Sequence, residues 1–483
     1  MTPAQSRLLD SLSAQLPPRA LVTDPVDIGP WLTDWRKRFH GAAPLLIEPA
    51  STAEVAVAVK AAGEAGVPLV PQGGNSSMVG GATPPADGSA AILSLRRMNR
   101  VRHVDADAGL VVAEAGVILQ HLHEEAARHG RRFPLTLGAR GVATVGGLVS
   151  TNAGGTQVLR WGTMRGLVTG LEAVLPDGSV HDGLAPLKKD NRGYDLTQLL
   201  VGAEGTLGVV TAATLRLAPA IVGRAVAWAG VESPDSAAAL LARLQARMGP
   251  ALESFEILPA ESLAAVLAHI PGTRAPIDTP APWHVLVETV QADGDALPPA
   301  PLLEAIIGDA LAAGLVHDAT LAASEAQAET FWRIRDSISD AERATGPAVQ
   351  HDISVPVAAM PRFMVEAAAA CDARFPGTRA SGFGHLGDGN VHFHVRAPAG
   401  VDRTRWYAEE APGITRFVHD LVVAAGGSIS AEHGIGQMKL GELARLSSPA
   451  RLHALRAIKA ALDPAGLMNP GKLVPLAPVD ASE

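Results

Sequence analysis

The stretch Pro71-Gln72-Gly73-Gly74-Asn75-Ser76-Ser77-Met78-Val79-Gly80-Gly81 follows a short apolar run, VPLVP, that reads as a strand. Its glycines permit close backbone approach and positive φ, and its small polar side chains add hydrogen-bonding groups. The loop therefore reads either as a flexible connection or as a cradle of N–H groups for a pyrophosphate. It is not the dinucleotide fingerprint GxGxxG that opens a helix.

Two further glycine-rich pieces favour the cradle. Thr144-Val145-Gly146-Gly147 with Thr151-Asn152-Ala153-Gly154-Gly155, and Gly202-Ala203-Glu204-Gly205-Thr206-Leu207-Gly208, flank apolar segments rather than hydrophilic linkers. A tight turn explains any one of them. Three together point to one extended phosphate-bearing ligand laid against the backbone.

Around these pieces the pattern is mixed α and β. Residues 52–66 have helical spacing and end in glycine, 90–95 and 110–116 read as strands, and a helix is predicted near 118–129. LEAVLPDGSV, with Asp177-Gly178 at its turn, reads as a hairpin, and GTLGVVTAATLRLAP closes this half near Pro219. Beyond it strands such as AVAWAGV and WHVLVETV alternate with helices predicted at 300–314 and 325–344, which reads as a second α+β domain.

The composition bounds the function. A chain of 483 residues, 47% hydrophobic and 18% charged, exceeds one core and can enclose a cofactor. A net charge of −9 without a basic block argues against nucleic acid. Cys371 is the only cysteine, so this chain builds no internal disulfide, CxxC pair or thiolate-held iron–sulfur cluster, and a metal would need His and carboxylate ligands. No run approaches the roughly 18 apolar residues of a membrane span, and the start lacks a basic and apolar leader, which predicts a cytoplasmic location.

The second half carries those ligands. In Ser381-Gly382-Phe383-Gly384-His385-Leu386-Gly387-Asp388-Gly389-Asn390-Val391-His392-Phe393-His394-Val395, His392 and His394 share a strand face, and His385 precedes a turn able to bring it beside them. Two of these histidines and the acidic residue of Ser430-Ala431-Glu432-His433-Gly434-Ile435-Gly436 offer three N/O ligands and leave a coordination position open. Arg335 and Ser339, four apart in the helix predicted from FWRIRDSISDAERA, project from one face and can grip a carboxylate; an arginine there also reads as solvated surface.

Together these motifs, spread over roughly residues 40 to 475, resemble the FAD-binding family of vanillyl-alcohol oxidase and p-cresol methylhydroxylase type, within it the D-2-hydroxyglutarate and D-lactate dehydrogenase branch. The resemblance implies an α+β fold. A segment 1–38 precedes a two-subdomain FAD-binding domain at 39–219, a substrate or cap domain follows at 220–430, and 431–483 returns to the flavin. It implies FAD contacts at Pro71, Gln72, Gly73, Gly74, Asn75, Ser76, Ser77, Gly138, Thr144, Gly147, Asn152, Gly154, Gly155, Glu204, Gly205, Val210 and, in LDPAGLMNPGKL, Asn469. The flavin is expected to be non-covalent, because members that link it usually have histidine at the position of Asn75.

The same resemblance implies a divalent metal, zinc or else manganese or cobalt, on His385, His392 and Glu432, with His433 as general base. Arg335, Ser339, Gln350 and His394 contact the substrate. The implied reaction oxidises a D-2-hydroxy acid, D-2-hydroxyglutarate before D-malate or D-lactate, to the 2-keto acid by hydride transfer to flavin N5. An external acceptor, an electron-transfer flavoprotein or a quinone, takes the electrons; a homodimer is one assembly compatible with the chain. Gln350 stands where a lysine commonly helps bind the distal carboxylate, and His394 where an asparagine can occur, which keeps a glycolate or D-lactate dehydrogenase-type subunit open. From another class, a metallohydrolase on the same His/His/Glu group is the alternative.

Overall fold

A computed structural model describes residues 1–295 and 297–474; the last residues of the segment expected at 431–483 lie outside it. The chain divides into two compact units. One comprises Met1–Gly155, Gly162–Pro219 and the chain from Glu432 on; the other comprises Thr156–Trp161 and Ala220–Ala431.

In the first unit the helix Thr52–Ala65 starts where Ser51 caps the Glu54 N–H and stops at Gly66, whose φ of 71° a side chain would strain. Val55, Ala58, Val59 and Ala62 recur at helical spacing and are buried against Leu8 and Leu12 of the helix Pro3–Ser13. This helix links Leu46–Ile47 to Leu69–Gln72, both of which pair in parallel with Ala91–Ser94. Leu21–Val22 completes that four-stranded sheet as an antiparallel edge. A second, antiparallel sheet runs Val101–Asp105, Leu110–Glu114, Val209–Arg216, Val168–Val174, Val180–Gly183. Its last two strands are the hairpin turning at Asp177-Gly178.

The second unit is built on a seven-stranded antiparallel sheet, in the order Asp318–Leu321, Ile221–Val231, Trp283–Ala292, Leu252–Pro259, Arg379–His385, Asn390–Arg396, Ala348–Ser354. Period-two alternation splits its faces. Phe255, Ile257, Val285, Val287, Ile353, Val391, Phe393 and Val395 enter one core with residues of the helices Pro234–Met248, Pro299–Ala312, Met360–Arg374 and Ala411–Ala424. The alternate residues, Glu256, Phe383, His385, His392 and His394, take the opposite face. There Phe383 packs with Leu263, Phe331, Ile334 and Ile338.

One expected element differs. The helix predicted at 325–344 is two helices, Glu325–Asp336 and Ile338–Thr345, meeting at Ser337. Serine competes poorly for helix interiors, and Ile334 and Ile338 are both buried, so the chain bends while keeping its apolar side inward. The shared-face argument for Arg335 and Ser339 therefore fails: Arg335 points into the protein and Ser339 is exposed.

Candidate active site

In the first unit, Leu69–Gln72 delivers the chain to Gly73 and Gly74, where the backbone presses on residues 142–144. A Cβ at Gly73 would stand 2.2 Å from Thr144 Oγ1, and one at Gly74 would stand 1.8 Å from the Val142 carbonyl. Gln72 is buried beneath the loop and donates to the carbonyls of Trp31 and Ala82 at 3.1 and 2.8 Å. Asn75 Nδ2 donates to the Thr33 carbonyl at 3.0 Å, and Ser77 Oγ accepts from the Gly81 N–H at 3.0 Å. Pro71 packs at Gly205, whose φ is 70°. Gly155 passes so close to the Thr136 carbonyl that a Cβ would lie 2.2 Å from it, Gly154 is buried, and Gly138 is exposed. Val210 is buried within its strand.

Six non-glycine residues among those described have positive φ, and four of them are Asn75, Asn152, Glu204 and Asn469. Such a conformation costs on the order of 1–3 kcal/mol for a residue with a Cβ and persists only where surrounding contacts impose it. Those contacts are present. Asn152 Oδ1 accepts from the Arg165 N–H at 2.9 Å. The two carboxylate oxygens of buried Glu204 accept from the N–H groups of Ile435 and Gly436 at 2.7 and 2.8 Å. Asn469 Nδ2 donates to the carbonyls of Glu204 and Gly81 at 2.6 and 2.9 Å. Burial raises the Glu204 carboxyl above its ordinary range against the pull of these N–H groups, Lys439 and Lys472. The carboxylate is thus committed to the chain around 435–436, and the part Glu204 plays toward a ligand is one of placement.

Thr144 Oγ1 and Asn469 Oδ1 are buried without a hydrogen-bond partner among the described residues. Backbone bared by glycines, with buried polar atoms left over beside it, fits a phosphate-bearing cofactor.

No motif announced Lys459. It is buried, and its ammonium donates to the carbonyls of Thr206 and Met468 at 2.7 and 2.8 Å and to Asp463 at 2.5 Å. It pins the C-terminal segment to the GAEGTLG piece.

In the second unit, register assembles the group that the histidine spacing predicts. His392 lies opposite both Phe383 and Asp352, His394 opposite both Ser381 and Gln350, and His385 opposite both Asn390 and Glu256. Ser428 bridges Ser354, and the Ala431 N–H lies 3.4 Å from the Asp352 carbonyl, so the chain is delivered there one peptide before Glu432. Within this unit the His385 and His392 rings stand with their centroids 5.6 Å apart, and Glu432, the residue that follows Ala431 in the chain, is the carboxylate of the expected set. Two imidazoles and a carboxylate form a donor set suited to a divalent ion such as zinc. His433, the next residue, is half-buried, as is Gln350.

Three carboxylates behind this group carried no sequence signal. Glu256 accepts from His385 Nδ1 at 2.6 Å and from Arg335 Nε at 2.8 Å. Burial raises Glu256, but Arg335 and His385 outweigh it and hold the carboxyl below its ordinary range. Burial likewise lowers His385, and the Glu256 charge outweighs it, lifting the ring to about 9 against Arg335. Glu342 bonds to His394 Nδ1 and accepts from Ser262 Oγ at 3.0 Å. Asp352 accepts from Asn390 Nδ2 at 3.0 Å. Alternation marks such residues as inward-facing, but only the strand register shows what each one meets.

A glycine-lined cradle in the first unit and a histidine pair with an arginine beside it in the second suit a cofactor-bearing enzyme, and the family matches give its class as oxidoreductase. Residues 43–183 match the family described as FAD binding domain, and 223–473 the family described as FAD linked oxidases, C-terminal domain. The chain belongs to the FAD-linked oxidases, in the branch that contains the D-2-hydroxyglutarate dehydrogenases. It is 36% identical over 443 residues to the mitochondrial D-2-hydroxyglutarate dehydrogenase of Arabidopsis thaliana, covering 92% of this chain and 77% of that protein. It is 35% identical over 463 residues to the D-2-hydroxyglutarate dehydrogenase of Xanthomonas citri pv. viticola, covering 96% of each. The fold is similar to that of p-cresol methylhydroxylase with substrate bound, with a TM-score of 0.75 at 14% identity over 98% of this chain and 97% of that one.

Family membership sets the metallohydrolase alternative aside. Among the described residues no helix is long and apolar enough to cross a membrane. The mitochondrial name of the plant relative leaves the expected cytoplasmic location without support from that comparison.

Proposed function

We propose that the chain oxidises a D-2-hydroxy acid, D-2-hydroxyglutarate first among them, to the corresponding 2-keto acid, using non-covalent FAD and a divalent metal, zinc before manganese or cobalt. The observation that carries this reading is the pairing of the His385 and His392 rings with Arg335 beside His385, in a chain of this family; Glu432 would supply the carboxylate ligand. The cradle of residues 71–77, with Thr144, Gly147, Asn152, Gly154, Gly155, Gly205 and Asn469, would hold the FAD; Asn75 offers no group for a covalent link. Bound FAD supplies the two-electron acceptor, and the metal supplies Lewis acidity toward the hydroxy-carboxylate end of the substrate.

The chain's own residues do the rest. His433 takes the proton of the 2-hydroxyl as general base. Arg335 supplies positive charge for a carboxylate, and Gln350 and His394, opposite one another in register, line the place of the distal end. Electrons leave to an external acceptor, an electron-transfer flavoprotein or a quinone, since one buried cysteine builds no internal relay. Gln350 favours a second reading in which the substrate has no distal carboxylate. Turnover of D-2-hydroxyglutarate, D-malate, D-lactate and glycolate with an artificial acceptor tests both: the first reading expects the highest kcat/KM on D-2-hydroxyglutarate, the second on D-lactate or glycolate.

A further inference from the structure

We infer that Glu256 is the positioning residue of this centre, fixing at once which nitrogen of His385 faces a metal and where Arg335 stands. The inference rests on the metal reading above. Glu256 sits on Leu252–Pro259, in the middle of the seven-stranded sheet, and is 1% exposed. A carboxylate there is retained only where charge and hydrogen bonds compensate its lost hydration. Both oxygens are engaged: Oε1 accepts from His385 Nδ1 at 2.6 Å, and Oε2 accepts from Arg335 Nε and Nη2, each at 2.8 Å.

The consequence for His385 is chemical. In the singly protonated ring that a metal binds, an Nδ1–H donated to Glu256 leaves the lone pair on Nε2, so Glu256 selects the tautomer and sets the ring plane. Strand register makes this arrangement rigid, because Glu256 and His385 are direct cross-strand partners. His392 is oriented differently: its Nδ1 lies 4.0 Å from Asp352, beyond a hydrogen bond. The consequence for Arg335 is positional. Its Nη2 lies 3.2 Å from His385 Nε2, so the carboxylate that orients the ligand also seats the cation next to the nitrogen the metal would take. Glu256 thus couples metal affinity to placement of the substrate-binding arginine.

The test measures zinc binding to the FAD-loaded protein by competition with a chromogenic chelator, with turnover recorded separately. Glu256→Gln keeps the shape and an acceptor oxygen but removes the charge and sets an amide against Arg335. It should weaken zinc binding about 10- to 100-fold, the range typical of a lost carboxylate behind a metal-ligating histidine. Flavin content and melting temperature report whether the variant folds. Glu256→Asp, read the same way, should weaken binding in the same direction and serves if the glutamine variant does not fold. Zinc affinity equal to wild type in either folded variant overturns the inference. A wild-type protein that takes up no divalent ion overturns the metal reading, and this inference with it.

Discussion

Asn469 and Glu204, 265 residues apart in sequence, are joined where the Asn469 side-chain amide donates to the Glu204 carbonyl at 2.6 Å, both residues holding positive φ. The same amide donates to Gly81, so one side chain of the C-terminal segment ties together two separated glycine-rich pieces of the proposed flavin cradle.

Asn469→Asp keeps the shape and removes both donors, leaving two carbonyls unsatisfied, which costs on the order of 3 kcal/mol. The variant should show a lower denaturation midpoint and at least tenfold weaker FAD binding. Wild-type values for both would mean that the amide is dispensable.

Gly74→Ala should abolish flavin retention, because its Cβ would fall 1.8 Å from the Val142 carbonyl, where no rotamer relieves the clash. Gly141→Ala is the control, since nothing lies within 4 Å of a Cβ built there. The readout is flavin released by acid precipitation per mole of protein. Wild type and the control should release close to one equivalent into the supernatant, and flavin remaining with the pellet would contradict non-covalent binding.

Arg335→Ala should lower kcat/KM on D-lactate as well as on D-2-hydroxyglutarate. Helix spacing alone would make Arg335 a simple clamp for a distal carboxylate, with D-lactate nearly unaffected. Its bond to buried Glu256 and its closeness to His385 change that expectation, because alanine strips a buried carboxylate of one partner. Losses of about one to two factors of ten on both substrates are expected from a charge-assisted bond of roughly 1.5–3 kcal/mol. Substrate choice should answer instead to Gln350→Lys, which places an ammonium opposite His394 and should raise kcat/KM on the dicarboxylate relative to D-lactate by about tenfold.

His284 provides a pH test away from both sites. Buried beside Trp228, whose indole N–H lies 3.2 Å from His284 Nδ1, it is pushed by burial down to about 4. The unfolded chain therefore binds a proton that the folded chain refuses between pH 6.5 and about 4, and stability falls as pH drops through that window. His284→Gln should flatten the dependence by up to about 3 kcal/mol. Parallel denaturation curves for the two proteins at pH 6.5 and pH 4.5 would show that His284 does not titrate this way.

The glycine pieces were legible because glycine is required wherever backbone meets backbone, as at Gly74 and Gly155. The histidines were legible because alternation places His392 and His394 on one face. Glu256, Glu342 and Lys459 were not legible: each is a lone ionisable residue in an otherwise ordinary segment, and its meaning lies in partners 129, 52 and 253 residues away. The bend at Ser337 was hidden for another reason, since periodicity continues across it with Ile334 and Ile338 both inward.

The central claim, that flavin, metal and a D-2-hydroxy acid meet in one reaction, is tested most directly by anaerobic titration of the purified protein with D-2-hydroxyglutarate while the visible flavin absorbance is followed. Full bleaching with one equivalent of 2-oxoglutarate formed is expected, with loss of bleaching after chelation while FAD stays bound, and recovery on adding zinc. Full reduction of demonstrably metal-free protein would contradict the metal's role, and no bleaching of metal-replete protein by any D-2-hydroxy acid would contradict the reaction itself.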